Sequence, residues 1–137
     1  MPELILIRGL PGSGKSTRAR QDYPDHLHYE PDHLFCDTQG RYRFDAQLFA
    51  DACEWVKKMV DFALARQEDV VVSDVFAKLS DLDPYRKIAA AHGADVRVVT
   101  CEEQFGNTHR VPVTIIERMK AEFEDEETRE ERHVRVA

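Results

Sequence analysis

Gly9-Leu10-Pro11-Gly12-Ser13-Gly14-Lys15-Ser16 is the stretch that decides how this chain is read. It fits G-x-x-x-x-G-K-[ST], a phosphate-binding pattern in which each residue type has a mechanical reason. Glycines adopt backbone angles closed to other residues and let a phosphate approach the chain. The amides from Gly12 to Thr17 are expected to bind phosphate oxygens, and the following helix adds its positive end. Lys15 is placed to reach the β- and γ-phosphates, Ser16 to offer a hydroxyl to Mg²⁺, and Thr17 to contact the α-phosphate. A chance glycine-rich turn would match in under about 1% of chains this long. The expected ligand is therefore a nucleoside triphosphate, ATP with Mg²⁺, held by Gly12, Ser13, Gly14, Lys15, Ser16 and Thr17.

The flanks supply the context this loop requires. Upstream, Leu4-Ile5-Leu6-Ile7 is a short apolar run that reads as a buried parallel strand. Downstream, Lys15 to Gln21 is helix-forming. Leu27 to Glu30 is a second short strand, and residues 37–40 are a turn. From Asp45, a plausible cap, to about Gln67, Phe49, Ala52, Val56, Met59, Val60 and Ala63 recur at helical spacing. Val70-Val71-Val72 is a β-branched strand. Asp83-Pro84 opens a helix and His92-Gly93 closes it. Val96 to Val99 is the last strand. Pro112 starts a helix with Ile115, Ile116, Met119 and Phe123 on its apolar face. Strand and helix alternate, which predicts an α/β, three-layer P-loop NTPase fold: a small parallel sheet of 4–5 strands with helices on both faces.

Bulk composition narrows the class. The 137 residues suit one domain with a real core. The expected division is a P-loop domain over 1–123, with a lid at about 102–111, and a charged tail over 124–137. Net charge is −7, of which residues 122–137 carry −4, so that end is expected to be solvated. The nearly balanced body argues against tight non-specific duplex binding. No apolar stretch approaches membrane-spanning length and no signal peptide is evident, so no membrane partner is expected. Cys36, Cys53 and Cys101 are odd in number and far apart, which predicts no disulfide-linked partner and a reducing cytoplasm.

In open parallel sheets, ligands bind beyond the carboxyl ends of the strands. That rule selects Glu30 and Asp32 after the second strand, Ser73 and Asp74 after the third, and the loop 102–111 after the fourth. Asp74 reads as an acid for the Mg²⁺ shell or a partner of Ser16, in preference to a cap. Asp32 is either a general base or the N-cap of a short helix at 33–35. Arg110 is either a phosphate clamp or a solvated arginine, and Arg118 shares that ambiguity. Trp55, mid-helix, reads as packing. The six histidines show no metal-ligand spacing, and none is expected to be a ligand.

The chain resembles the polynucleotide-kinase branch of small P-loop kinases, an AAA-type ATP-binding family that includes the phage polynucleotide 5′-kinase domain. The likeness runs over about residues 3–123. It rests on GLPGSGKST, Asp32 three residues before Phe35, VVVSD at 70–74, Asp-Pro-Tyr-Arg at 83–86, Asn107-x-His-Arg-Val-Pro112, and Ile-x-Arg-Met at 116–119. The resemblance implies that Asp32 is the general base on a hydroxyl acceptor and that Arg110 is the nearest match to the lid arginine holding donor phosphates. The sequence departs from the family at Phe35 and Gly106, where arginine is frequent, and at Phe76, where asparagine is frequent. The implied activity is an ATP-dependent kinase moving the γ-phosphate to a hydroxyl such as a polynucleotide 5′ end. Two other readings stay open: a nucleotide or small-metabolite kinase, and a non-catalytic ATP-binding module.

Overall fold

The computed structural model describes residues 1–35, 48–102 and 113–124. Four strands form one parallel sheet: β1 (Glu3–Gly9), β2 (Leu27–Tyr29), β3 (Val70–Asp74) and β4 (Asp95–Cys101), in the order β2-β3-β1-β4. Leu4 pairs with Val70 on one side and Val96 on the other, so β1 lies inside the sheet. The chain fills one side of β1 with β3 and β2, then crosses to place β4 on the other side. This reversal opens a crevice at the end of β1, where the phosphate-loop motif begins.

Alternation along β1 and β3 sorts side chains onto two faces. Leu4, Leu6, Val70 and Val72 pack with Val56, Val60, Ala63 and Leu64 of α2 (Phe49–Ala65) and with Tyr85 and Ala89 of α3 (Asp83–Ala91). Ile5, Ile7 and Val71 face the other way, against Ala19 of α1 (Lys15–Asp22). Helices therefore cover both faces, and the three-layer α/β expectation holds. A fourth helix, α4, spans Val113–Glu122.

Several boundaries differ from the sequence reading. Helix α2 begins at Phe49, and the expected cap Asp45 lies outside the described residues, as does the turn at 37–40. A short 3-10 turn, Leu79–Leu82, precedes α3 and hands over directly to Asp83. Phe123 follows α4 instead of completing its apolar face, and lies under the Arg8 guanidinium, 4.2 Å from ring centroid to Cζ. Glu124, expected in the solvated tail, is docked. Its N–H donates to Ala77 O at 2.6 Å, and its carboxylate accepts from Leu79 N at 2.5 Å. The tail beyond it, the expected lid at 102–111 apart from Glu102, and Arg110 lie outside the described residues. Among the described residues, no helix is long and apolar enough to cross a membrane.

Candidate functional site

The loop after β1 is shaped by its glycines. Gly12 and Gly14 have φ of 84° and 85°, the left-handed region that side-chain-bearing residues avoid. Gly9 is required for a different reason. A Cβ there would lie 2.3 Å from Ser13 Oγ and 2.8 Å from Cys101 O, so the loop folds back over the strand end only because nothing occupies that space. The Ser13 amide donates to Leu10 O at 3.0 Å, so the expected unbroken run of phosphate-facing amides from Gly12 to Thr17 is interrupted at Ser13. Lys15 Nζ donates to Leu10 O at 3.2 Å across the loop. Thr17 is exposed.

Lys15 sits among three carboxylates. Burial lowers its pKa, while Asp74, Asp32 and Glu30 oppose that shift by favouring the charged form. Asp74 ends β3 and accepts from the Val75 amide at 2.7 Å. Burial pushes its carboxyl up to about 6, against the pull of that amide and of Lys15. Asp32 lies close enough to act electrostatically on both Lys15 and Asp74. It sits within the first turn of a 3-10 segment, Pro31–Phe35, and not at its cap. Pro31 opens the turn, so the N-cap alternative for Asp32 does not hold.

Ser16 has a partner other than the one expected. Its hydroxyl donates to Glu30 Oε2 at 2.7 Å, and the Asp74 alternative is not realised. Glu30 is buried and also accepts from Ser73 Oγ, while His28 and His33 approach at 3.5 Å and 3.3 Å. Burial alone would raise the Glu30 carboxyl. Hydrogen bonds from His28, His33, Ser73 and Ser16 outweigh it and hold the group well below the usual carboxylate range. An ionised carboxylate therefore stands behind the hydroxyl that P-loop chemistry assigns to Mg²⁺. The sequence reading places Glu30 at a strand end without a role and expects no histidine to be a ligand. The fold instead gathers His28, Glu30 and His33 within 4.8 Å of one another.

Arg8 is a structural residue that sequence reasoning missed. Fully buried, it donates to Phe76 O at 2.9 Å, Ala77 O at 3.2 Å and Glu124 O at 2.6 Å. These bonds hold the segment after Asp74. There Phe76, where the resembled family favours asparagine, takes φ of 47°. Such strain in a non-glycine residue persists only where its surroundings fix it; here Arg8 holds the carbonyl, and Tyr85 packs edge-on against the ring at 5.5 Å. Trp55 packs against Tyr29, as its mid-helix position implied. Arg118 is exposed on α4.

A family model described as AAA domain matches residues 4–105. The chain belongs to the AAA domain family. The chain is 30% identical over 93 residues to human NEDD4-binding protein 2; the match covers 65% of this chain and 5% of that protein's length. A protein of Pasteurella multocida is 29% identical over 135 residues, covering 87% of this chain and 75% of its own. Among solved structures, Kti12 of Chaetomium thermophilum in complex with ADP-AlF3 superposes with a TM-score of 0.66 at 20% identity, covering 89% of this chain and 80% of that one. A gluconokinase of Sinorhizobium meliloti superposes at 0.55 with 24% identity, covering 90% and 76%. This AAA domain thus has the fold of P-loop kinase-like proteins.

Proposed function

We propose that this chain is an ATP-dependent kinase that moves the γ-phosphoryl group to a hydroxyl acceptor, with a polynucleotide 5′-hydroxyl as the favoured acceptor, in a reducing cytoplasm. The observation that carries it is the meeting of Lys15, Asp32 and Asp74 at the ends of three neighbouring strands, with Ser16 bonded to Glu30 beside them. In this reading, a new bond forms between the acceptor oxygen and the γ-phosphorus. The bond from that phosphorus to the β,γ-bridging oxygen breaks, and ADP leaves. Asp32 takes the acceptor proton. Lys15 neutralises charge on the transferring group, and Arg110 is the candidate that the family resemblance offers for holding the donor phosphates. Positioning and electrostatics supply most of the catalysis in such transfers.

The residues fit Mg²⁺: Ser16 already meets an ionised carboxylate, and Asp74 ends the adjacent strand as an acid. Ser16 would ligate the ion and Asp74 would hold its water shell, with the ion supplying charge neutralisation between the phosphates.

A cleft of about 430 Å³ beside Asp74, lined in part by Cys53, Lys57, Phe76 and Tyr85, favours a second reading in which the acceptor is a nucleotide or small metabolite. A screen of phosphoryl transfer from γ-labelled ATP to oligonucleotide, nucleoside and sugar hydroxyls separates the two. Tight ATP binding without transfer or hydrolysis would overturn both and leave a non-catalytic binding module.

A further inference from the structure

A second cluster lies behind the phosphate loop, built by the end of β2 and the turn after it. His28 is the middle residue of β2, Glu30 follows the strand, and His33 lies in the 3-10 segment Pro31–Phe35. We propose that His28, Glu30 and His33 form a binding site for a divalent transition-metal ion of the Zn²⁺ type, separate from the Mg²⁺ of the phosphate loop. The proposal does not depend on the kinase reading.

The donor chemistry selects the ion. Two imidazole nitrogens and one carboxylate oxygen are a borderline set suited to Zn²⁺ and unsuited to Mg²⁺, which prefers an all-oxygen octahedron.

The spacing matches the same ion. Bonds of about 2.1 Å at the tetrahedral angle put neighbouring ligand atoms about 3.4 Å apart. Here His33 Nε2 is 3.3 Å from Glu30 Oε1, close to the edge of a metal tetrahedron, and His28 Nε2 is 3.5 Å from Oε2, the other oxygen of the same carboxylate. All three ligand atoms fall within 4.8 Å.

The surroundings hold the ligands in place. Glu30 Oε2 is held by Ser16 and Ser73, which fixes the carboxylate and leaves Oε1 towards His33. Ser73 Oγ also lies 2.8 Å from His28 Nε2, so a bound ion would take over that nitrogen while Ser73 kept its bond to Glu30. The His33 side chain is 40% exposed, which gives an ion a way in and a water the fourth position. An occupied site would tie β2 to the turn that carries Asp32.

A second cluster in the same molecule, Glu3, His26 and Asp69, provides a contrast. There, His26 Nε2 is already at 2.9 Å from Glu3 Oε2, and Asp69 Oδ1 accepts from the Glu3 amide at 2.9 Å. There the His26 and Glu3 side chains satisfy each other at hydrogen-bond distance, and Asp69 is engaged with the Glu3 backbone amide.

The test is calorimetric titration of the nucleotide-free, Mg²⁺-free full chain with Zn²⁺, repeated with Co²⁺ while recording its visible spectrum. One ion should bind, with ligand-field bands of low-coordinate Co²⁺ and no thiolate charge-transfer band. His33→Gln and His28→Gln should each weaken binding by at least about 10-fold, and His26→Gln should leave it unchanged. Thermal melts of the metal-free variants, matching the unsubstituted chain, separate ligand loss from unfolding; His33 is exposed, and glutamine keeps a donor for Glu30. Absence of saturable binding would overturn the proposal. So would a thiolate band, or binding that survives His33→Gln and fails in His26→Gln.

Discussion

The Ser16 hydroxyl donates a 2.7 Å hydrogen bond to Glu30 Oε2, joining the second residue of α1 to the residue that follows β2. The link brings an ionised carboxylate against the phosphate loop from a strand two positions away in the sheet. Together with Lys15 and Asp74, it makes the crevice beyond β1 strongly polar, whereas Leu4 to Ile7 of β1 and Val70 to Val72 of β3 behind it are apolar and buried.

Lys15 is held across the loop by Leu10 O and surrounded by Asp74, Asp32 and Glu30, an arrangement that keeps the ammonium in place for phosphate. Lys15→Ala should weaken ATP binding at least about 10-fold, the value of a charged hydrogen bond, and abolish turnover. Isothermal titration reads the first effect. Unchanged affinity would remove the loop from the nucleotide site.

Gly9→Ala places a methyl 2.3 Å from Ser13 Oγ and 2.8 Å from a backbone oxygen of Cys101. The serine can rotate, but the carbonyl cannot easily retreat. A loss of about 1–3 kcal/mol is expected in urea denaturation, with weaker ATP binding as the loop is pushed off the strand. A fully stable variant with normal ATP affinity would show that the loop does not need this contact.

Arg8 serves three carbonyls from a fully buried position. Arg8→Met keeps most of the stem volume and leaves Phe76 O, Ala77 O and Glu124 O without that donor. The expected cost is about 2–4 kcal/mol by denaturant titration. A loss below about 0.5 kcal/mol would mean water replaces the guanidinium without penalty.

Burial pushes the Cys53 thiol up to about 12, and nearby Asp74 adds to the shift. The thiolate is the reactive species, so its fraction rises with pH and at pH 8 is only about one in ten thousand. Peptide-resolved iodoacetamide labelling of the native protein should leave Cys53 unmodified at pH 8, with the rate climbing through pH 10 and above. Labelling at pH 8 as fast as a free cysteine would contradict this environment.

The fold was largely legible because its signals are local. Leu4 to Ile7 and Val70 to Val72 announce buried strands, and the glycine-lysine motif marks the turn from the first of them into α1. The partner of Ser16 was not legible, because Glu30 and Ser73 are separated from it or from each other by 14 and 43 residues and meet only through strand order. The role of Arg8 was not legible, since the carbonyls it serves are 68 or more residues away. His28 and His33 showed no metal-ligand spacing because the pair straddles the boundary between β2 and the turn after it. Asp32 was ambiguous for the opposite reason: one local pattern serves a cap and a base equally well, and only the position of Pro31 removed the cap.

The most direct test of the central claim is phosphoryl transfer from γ-labelled ATP to a 5′-hydroxyl oligonucleotide, compared between the unsubstituted chain and Asp32→Asn. Asparagine keeps the shape of Asp32 and loses its basicity. The unsubstituted chain should transfer phosphate, and the rate should fall roughly 100-fold or more in Asp32→Asn, with ATP affinity little changed. An undiminished rate in Asp32→Asn would contradict it.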